Sequence, residues 1–495
     1  MQSGAYENKR VTTDLGGKIS DTLFARFNAV FEDTKSYRDF YHMQREGFNP
    51  AFTWVPTTDT RIRFSYEYFR DKRTADRGIP SQNRRPYAGA APSTFFGNPD
   101  LSYTPAKQNI LMSSLEHDFD SRLSVKSQTR FADYKRFYQN VYPGSAVNPA
   151  TDTLTLSAYN NSNDRQNIFN QTDWTYKLMT GPFKHTLVFG TEFGNQQSAN
   201  ARFSGIFGSG TTVSNPVPAS NPVSFAPVAF TGLATDARNK TNLNLAAVYG
   251  QDQLELTRWL QFIGDIRFDR FDLDYVNLNA QNASFGQTFG RVDNLVSPRA
   301  GIVAKPIDVM SLYTNYSVSY LPASGDQFNA LTVVSTRLKP EKFTNKEVGL
   351  KWDITPALAF TAAVFELVRE NTPIKDNANV AVAAGASRVD GLELSLIGYI
   401  TEKWQTTAGY ANLNARYVTD TSNAAGTLAA RAGNHVPFVP AQTYSLGTDT
   451  ISPKIGAPAP GSFRKLHISP MPTTRSRYQD SRGWTAPCFT SWART

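Results

Sequence analysis

The chain has 495 residues, of which 13% are aromatic, 32 are Gly and 28 are Pro, and its mean hydropathy is slightly negative. The longest apolar run, "LAFTAAVF" at 358–365, is far shorter than the roughly 18 residues of a membrane helix. Helical membrane spans are therefore excluded, and a single cysteine, Cys488, excludes an intrachain disulfide.

The first residues, "MQSGAYENKRVTTDLGG", contain neither an apolar core region nor a small-residue cleavage site. They do not form a signal peptide, so we expect either that the protein is cytosolic or that its true beginning is missing. The first predicted strand, "AYENKRVTTDLGGKI", starts at once and runs into a short turn.

Alternation of apolar and polar residues marks the strands that follow. In "RIRFSYEYF", residues 61–69, one face carries Ile62, Phe64, Tyr66 and Tyr68, and the other carries Arg61, Arg63, Ser65 and Glu67. A period of two fits a strand of a soluble sandwich and a strand of a membrane barrel equally well. The lengths of the connections between strands distinguish a soluble sandwich from a membrane barrel.

Eight short polar turns recur through the first 450 residues, each flanked by alternating segments. They are predicted at 20–22, 56–60, 120–122, 181–184, 257–259, 306–308, 355–357 and 401–403. The connections between them are long and rich in Gly, Pro, Asn and Ser, notably near 70–107, 195–239 and 320–345.

This one-sided difference in loop length predicts a membrane barrel. Compact soluble domains seldom need connections longer than about 12 to 15 residues, whereas transmembrane barrels join strands by short periplasmic turns and long outer loops. The strands match the roughly 9 to 11 residues that cross a bilayer at a tilt. We therefore predict an all-β fold, an antiparallel transmembrane β-barrel of about 17 strands, with Tyr and Trp near its rims.

Residues 451–495 differ from the rest of the chain. They hold seven Lys or Arg and one acid, which supplies +6 of the formal net charge of +9, and strand alternation stops after "YSLGTDTIS". A basic tail can indicate nucleic acid or an anionic surface, but this one has no clustered run. We interpret 1–450 as a partial barrel and 451–495 as out-of-frame sequence or a disordered basic tail, and we expect no nucleic-acid partner.

Three segments between 297 and 417 carry a family resemblance: "SPRAGIVAKPIDVMSLYTNYSVSYLPASGDQF", "LKPEKFTNKEVGLKWDITPALAFTAAVFELVRENTP" and "RVDGLELSLIGYITEKWQTTAGYANLNARY". They resemble the barrel of TonB-dependent ferric-siderophore receptors. "DRGIP" at 76–80 and "FFGNPD" at 95–100 are similar to the ferrichrome and catecholate branch of that family.

The resemblance implies a barrel of about 22 strands around an N-terminal plug that binds ligand and contacts TonB. The plug, the TonB box and the first strand have no counterpart here, and the tail stands where the last four strands would be. We expect the chain to be an internal segment that does not work alone as a receptor, because a sheet of about 17 strands leaves two bare edges.

Ligand contacts are expected in the long connections. Arginine with aromatic residues suits a ferric catecholate, because the guanidinium attracts a negative complex and stacks on rings. The candidates in the first long connection are Arg77, Arg84, Arg85, Tyr87, Phe95 and Phe96. The alternative is a solvated loop that contacts lipopolysaccharide phosphates or nothing.

A second candidate group lies in "RFADYKRFYQNVYPG": Tyr134, Phe137 and Tyr138, with Phe131 and Tyr142 nearby. These rings could face an incoming ligand, or they could belong to the outer aromatic girdle. Asp265, Asp269, Asp272 and Asp274 could suggest a divalent metal, but a solvated strand end is the favoured interpretation.

Catalytic motifs are absent from the sequence. The five histidines show no metal spacing, and neither a Walker loop nor a Gly-x-Ser-x-Gly elbow is present. We predict a non-enzyme without a cofactor or metal ligands of its own, since iron would arrive already chelated.

The expected function is capture and TonB-coupled import of a ferric siderophore across a Gram-negative outer membrane. Expected partners are the ferric siderophore, outer-membrane lipid and lipopolysaccharide, and TonB through the missing plug, with the barrel a monomer. Without a signal peptide, this chain by itself is not expected to be exported. A passive porin-like channel and a secreted all-β binding protein are the alternatives.

Overall fold

The computed structural model describes residues 1–208, 212–322, 336, 338–375, 381–422, 428–450 and 465–466. Seventeen long strands fill most of this part of the chain, and they are numbered β1 to β17 below. No helix within the described ranges is long and apolar enough to span a membrane. The expectation of residues 451–495 as a foreign or disordered tail falls almost wholly outside the described residues and stays a prediction.

The long strands have the following bounds: β1 Asn8–Lys18, β2 Leu23–Lys35, β3 His42–Thr57, β4 Thr60–Thr74, β5 Tyr103–Asp118, β6 Leu123–Pro143, β7 Thr153–Thr180, β8 Phe183–Phe207, β9 Arg238–Glu255, β10 Leu260–Asn277, β11 Thr288–Ile307, β12 Met310–Leu321, β13 Glu341–Thr355, β14 Leu358–Lys375, β15 Ala381–Thr401, β16 Trp404–Tyr417 and β17 Gln442–Thr450.

Each long strand pairs antiparallel with the next one along the chain, from β1 to β17, so the wall is a single up-and-down sheet. Short strands extend it. Ser214–Pro218 pairs with β7, and Val228–Thr231 pairs with β8. The predicted antiparallel transmembrane β-barrel with about 17 strands is confirmed. In the described residues no pairing joins β1 to β17.

The short turns lie at the predicted places, and side chains close several of them. Asp120 Oδ1 accepts hydrogen bonds from the N–H groups of Arg122 (2.7 Å) and Leu123 (2.8 Å). Thr257 Oγ1 accepts one from the Leu260 N–H at 3.0 Å. Such side-chain acceptors substitute for backbone partners in tight turns. We call this edge of the sheet the turn end and the opposite edge the loop end.

The apolar face of the strands points outward and remains exposed. Val248 lies opposite Phe268 on the next strand, and Phe268 lies opposite Val296, so the register carries the apolar face across the sheet. All three side chains are more than 40% exposed. In a soluble protein such a continuous surface would be covered, whereas lipid covers it in a barrel.

The opposite face is polar and lines the lumen. Arg61 Nη1 and Arg63 Nη1 lie 3.5 and 3.4 Å from carboxylate oxygens of Glu116. Phe64, the next residue along the strand, points the other way and is 52% exposed. The alternation in residues 61–69 therefore separates lipid from lumen rather than solvent from a buried core.

Tryptophan marks the turn end. Five Trp side chains of the first 450 residues are exposed near this end: Trp54, Trp174, Trp259, Trp352 and Trp404. Four of them lie in or within a few residues of a short turn along the chain, and Trp174 pairs with Val125, close to the short turn before β6. Amphipathic rings concentrate at membrane interfaces, so this belt marks one boundary of the apolar band.

Glycines on the lumen face let aromatic rings lie flat against the wall. Tyr313 sits opposite Gly349, and a Cβ added at Gly349 would lie 2.3 Å from the Tyr313 ring. Phe365 covers Gly391 in the same way, again at 2.3 Å. Cross-strand pairs of this kind stabilise barrel sheets, and here they also keep bulky rings from projecting into the lumen.

The loop end differs from the sequence-based prediction. The predicted connection 195–239 is strand as far as Phe207, and the connection between β2 and β3 covers only 36–41. Two of the strands, β7 and β8, are 28 and 25 residues long. The outer part of the molecule is therefore built partly from strands that continue beyond the bilayer.

Candidate ligand site at the loop end

Aromatic side chains of two adjacent strands, β6 and β7, converge on the lumen face at the loop end. On β6, Tyr138 and Tyr142 lie on the face opposite the exposed Phe131, and on β7 Tyr159 lies on the face opposite the exposed Ile168. Tyr138 lies roughly 15 residues beyond the short turn before β6, more than the 9 to 11 that cross a bilayer. The three rings therefore stand outside the membrane and face the interior.

Arg77, in the connection between β4 and β5, reaches into these rings. Its Nε donates to Tyr138 Oη at 3.1 Å, and its Nη2 donates to Tyr159 Oη at 2.5 Å. The guanidinium carbon lies 3.9 Å from the centroid of the Tyr142 ring. We call Arg77 with Tyr138, Tyr142 and Tyr159 the arginine–tyrosine cluster.

A second cation, Arg202 of β8, borders the cluster. Its guanidinium carbon lies 4.2 Å from the centroid of the Tyr159 ring, and its Nε lies 3.4 Å from Asp236 Oδ1. Asp236 is buried and also accepts hydrogen bonds from the Ser204 N–H and Oγ, both at 2.9 Å. The guanidinium groups of Arg77 and Arg202 thus both lie beside the Tyr159 ring, and the carboxylate of Asp236 partly neutralises their positive charge.

The surroundings of the cluster raise the pKa of the Tyr159 phenol and of the Arg77 guanidinium. Burial raises the pKa of the Tyr159 phenol, although Arg77 lowers it in part. Burial opposes the charge on Arg77, but the hydrogen bond with Tyr138 and the neighbouring phenols outweigh it and raise the pKa of the guanidinium. The cluster is therefore a positively charged aromatic surface at neutral pH.

Two contacts hold the connection that carries Arg77. Arg38 binds Asp76, next to Arg77, at 2.9 Å and donates from Nη1 to the carbonyl oxygens of Pro92 (2.6 Å) and Thr94 (2.9 Å). Gly97 passes so close to β6 that a Cβ there would lie 1.9 Å from the Val141 oxygen, and its φ is +134°. Arg77 is therefore positioned by a braced segment.

Comparison with known proteins places this geometry in a family. A model of the TonB-dependent receptor-like β-barrel matches residues 47–487, most of the chain. The chain belongs to the TonB-dependent receptor β-barrel family.

Two curated relatives are named as siderophore receptors. The catecholate siderophore receptor Fiu of Escherichia coli O6:H1 is 27% identical over 92% of this chain and 65% of its own length. The probable TonB-dependent siderophore receptor PiuA of Acinetobacter baumannii is 27% identical over 90% of this chain and 64% of its own length. The chain thus spans just under two thirds of these relatives. Both are named as receptors rather than enzymes.

A solved receptor structure has a fold similar to that of this chain. The crystal structure of PiuA from Acinetobacter baumannii superposes with a TM-score of 0.82 at 24% identity, covering 90% of this chain and 68% of that one. At that identity the likeness establishes the TonB-dependent receptor barrel fold alone.

The predicted ligand residues of this TonB-dependent receptor chain lie in several different environments. Arg77 and Tyr138 meet in the cluster. Tyr134 also faces the lumen, where Arg130 donates a hydrogen bond to its Oη. Phe137 lies on the outward face of β6 and packs against Tyr103, with ring centroids 5.7 Å apart, which fits the girdle alternative considered for this segment.

Three predicted residues are buried beneath the loops. Phe95 and Phe96 are 1% and 2% exposed. Tyr87 packs in one apolar core with Phe96 and donates a hydrogen bond to Asp152 Oδ2 at 2.9 Å. That hydrogen bond raises the pKa of the Tyr87 phenol. In this conformation these side chains support the loops and present no surface to a ligand.

Arg84 and Arg85 belong to a small hairpin in the same connection as Arg77. Ser81–Gln82 pairs with Arg85–Pro86, and Asn83 and Arg84 both have positive φ, at 53° and 64°. This geometry fits a two-residue hairpin turn. The hairpin presents Arg84 and Arg85 as exposed side chains rather than as part of the cluster.

Sequence reasoning missed Tyr159 and Arg202. Tyr159 is an odd-numbered residue of a strand whose even-numbered Ile168 faces lipid, so the phase of β7 could have placed it in the lumen. Arg202 fell within a segment predicted as loop. Within the described ranges, no three His, Cys, Asp or Glu side chains form a metal-binding group.

Proposed function

We propose that the chain forms the barrel wall of a receptor that binds a ferric siderophore at the arginine–tyrosine cluster. The receptor imports this complex across the outer membrane by TonB coupling. The observation that carries the proposal is the placement of Arg77 among three lumen-facing tyrosines beyond the bilayer.

The chemistry of the cluster suits a negatively charged, aromatic iron complex. The guanidinium of Arg77 supplies planar donors to anionic oxygens, and tyrosine rings stack on catecholate rings. A ligand oxygen takes over the hydrogen bonds that the phenols of Tyr138 and Tyr159 now accept. The names of the relatives, a catecholate siderophore receptor and a siderophore receptor, support this ligand class.

The remaining partners follow from the family. TonB coupling requires a plug, which we place in the portion of the relatives that this chain does not cover. Iron enters already chelated, so the wall supplies no metal ligands, and residues 1–450 act as a monomeric wall in the outer membrane. A passive channel and a secreted binding protein are less well supported, because the family match favours an energised receptor.

The test compares Arg77→Ala with Arg258→Ala, which removes an exposed cation in the turn between β9 and β10. Binding of a ferric catecholate to the purified chain is measured by quenching of intrinsic fluorescence. We expect Arg77→Ala to weaken binding about tenfold or more, equivalent to about 1.4 kcal/mol, and Arg258→Ala to bind like the parent. Equal binding by all three proteins contradicts the site.

A further inference from the structure

Three cations lie side by side on the lipid-facing surface near the loop end. Arg70 of β4 is directly opposite Lys107 of β5, and Lys107 is directly opposite Lys135 of β6. Directly opposed residues have Cβ atoms about 4.5 to 5.5 Å apart. We call Arg70, Lys107 and Lys135 the rim row.

The phase of each strand turns the rim row outward. Arg70 shares a face with the exposed Phe64, Lys107 with the exposed Leu111, and Lys135 with the exposed Phe131. All three cations are themselves exposed. The row therefore belongs to the surface that meets lipid and not to the lumen that holds the arginine–tyrosine cluster.

The height of the rim row matches the boundary of the bilayer. Its residues lie roughly 11 to 13 positions along their strands from the nearest short turn, whereas a tilted strand crosses the hydrocarbon in about 9 to 11. Leu111 and Phe131 pair with each other two levels below the row, toward the apolar band, with Asn109 and Asp133 between. The rim row thus stands at headgroup depth above lipid-facing apolar side chains.

Among the described residues, Lys107 and Lys135 of the rim row form no ion pair with a carboxylate, whereas Arg70 does. Arg70 Nη1 lies 3.4 Å from Glu46 Oε1. Lys107 Nζ lies 5.5 Å from the centroid of the Tyr68 ring, and no carboxylate of the described residues comes within 4.0 Å of Lys107 or Lys135. On the next strand, Asp164 lies directly opposite Lys135. On the same face, Asp133 lies two residues before Lys135, toward the apolar band, and Lys72 lies two residues after Arg70, toward the loop end.

Like charges directly opposite one another on a sheet are destabilising. A run of three such cations at headgroup depth is relieved when an anion lies between them. Phosphate groups are the anions of the lipid headgroup layer, and charge-assisted hydrogen bonds from Lys and Arg bind them strongly.

We propose that the rim row binds phosphate groups of lipopolysaccharide in the outer leaflet. The lysines contact phosphate oxygens, Arg70 shares its guanidinium between Glu46 and the lipid, and the acyl chains lie along Leu111 and Phe131. The site is independent of siderophore binding, so either proposal can fail without the other.

The test uses the full chain purified in detergent and titrated with lipid A that carries both phosphates. The variant Arg70→Gln/Lys107→Gln/Lys135→Gln is compared with Arg122→Gln/Arg258→Gln/Lys403→Gln, which removes three exposed cations from short turns. We expect the rim-row variant to bind about tenfold more weakly or worse, and the turn variant to bind like the parent. Lys107→Arg/Lys135→Arg should retain binding.

Two further probes separate the sources of phosphate. Dephosphorylated lipid A should bind the parent as weakly as the rim-row variant binds phosphorylated lipid A, and inorganic phosphate should not compete at equal concentration. Heat-modifiable gel mobility checks that each variant is folded. Equal affinity of the rim-row variant and the parent for phosphorylated lipid A overturns the proposal, as does equal affinity of the parent for both lipids.

Discussion

Gly97 shows how a single residue positions a distant site. Its backbone lies against the Val141 carbonyl of β6, and its N–H donates to the Pro222 carbonyl of the next long connection at 3.2 Å, while its own carbonyl accepts from Ser224 at 3.0 Å. One residue thus ties two outer connections to the strand that carries Tyr138 and Tyr142. No L side chain fits that conformation readily.

Replacing Gly97 by Ala should loosen the segment that carries Arg77. The added methyl group would meet the Val141 oxygen and strain a positive φ, at a cost on the order of 1 to 3 kcal/mol. We expect faster protease cleavage within 75–102 and weaker ferric catecholate binding, with an intact barrel. Gly17→Ala is the control, because a Cβ at Gly17 has no atom within 4 Å. Unchanged cleavage in Gly97→Ala would count against this role.

At the scale of elements, the sequence predicts strands only where the two faces meet different surroundings. In the bilayer, lipid and lumen impose alternation, and the turn positions follow from it. Beyond the bilayer both faces of a strand meet water or other loops, so residues 195–207, "NQQSANARFSGIF", lose the pattern while β8 continues. For that reason the sequence pattern did not predict the outer halves of β7 and β8 as strand.

The cluster could be predicted only in part for a related reason. Arg77 and Tyr138 were found because Arg and aromatic residues are enriched in their segments. Tyr159 lies 82 positions from Arg77 along the chain, and only the fold of the connection brings the two together. Composition likewise could not distinguish Phe95 and Phe96, which pack beneath the loops, from rings that face the lumen.

Asp120 provides a test of the turns. Its hydrogen bonds from the backbone N–H groups of Leu123 and Arg122 lower the pKa of the carboxyl. The stabilisation is therefore complete above the pKa of the unfolded chain, near 4, and is lost as the pH falls through the lower folded pKa. Asp120→Ala should unfold at lower urea than the parent at about pH 7, and this difference should disappear at about pH 2.

The control for that comparison is Asp308→Ala, at an exposed position in the short turn between β11 and β12. Unfolding is followed by circular dichroism in detergent micelles at both pH values. A deficit for Asp120→Ala that persists unchanged in acid would show that the carboxylate is not its source.

On the scale of the whole molecule, two variants at matched height separate the lipid face from the lumen face. Val364 of β14 and Ser395 of β15 each lie roughly seven residues from a short turn, on opposite faces, and Val364 is 52% exposed. Val364→Arg should destabilise the barrel in lipid vesicles by about 2 to 4 kcal/mol. Ser395→Arg should have little effect, because its charge stays in a wetted lumen.

Urea unfolding in vesicles measures both variants. Equal loss of stability would mean that the two faces meet the same medium, which the polar contacts of Arg61 and Arg63 with Glu116 argue against.

The length of β7 has a practical consequence. At about 3.3 Å per residue, its 28 residues extend far more than a bilayer crossing requires, so more than half of this hairpin stands as a rigid ridge above the lipid. Antibodies raised against that ridge should decorate intact bacteria without permeabilisation. A fluorophore attached there would report the protein's whereabouts on living cells.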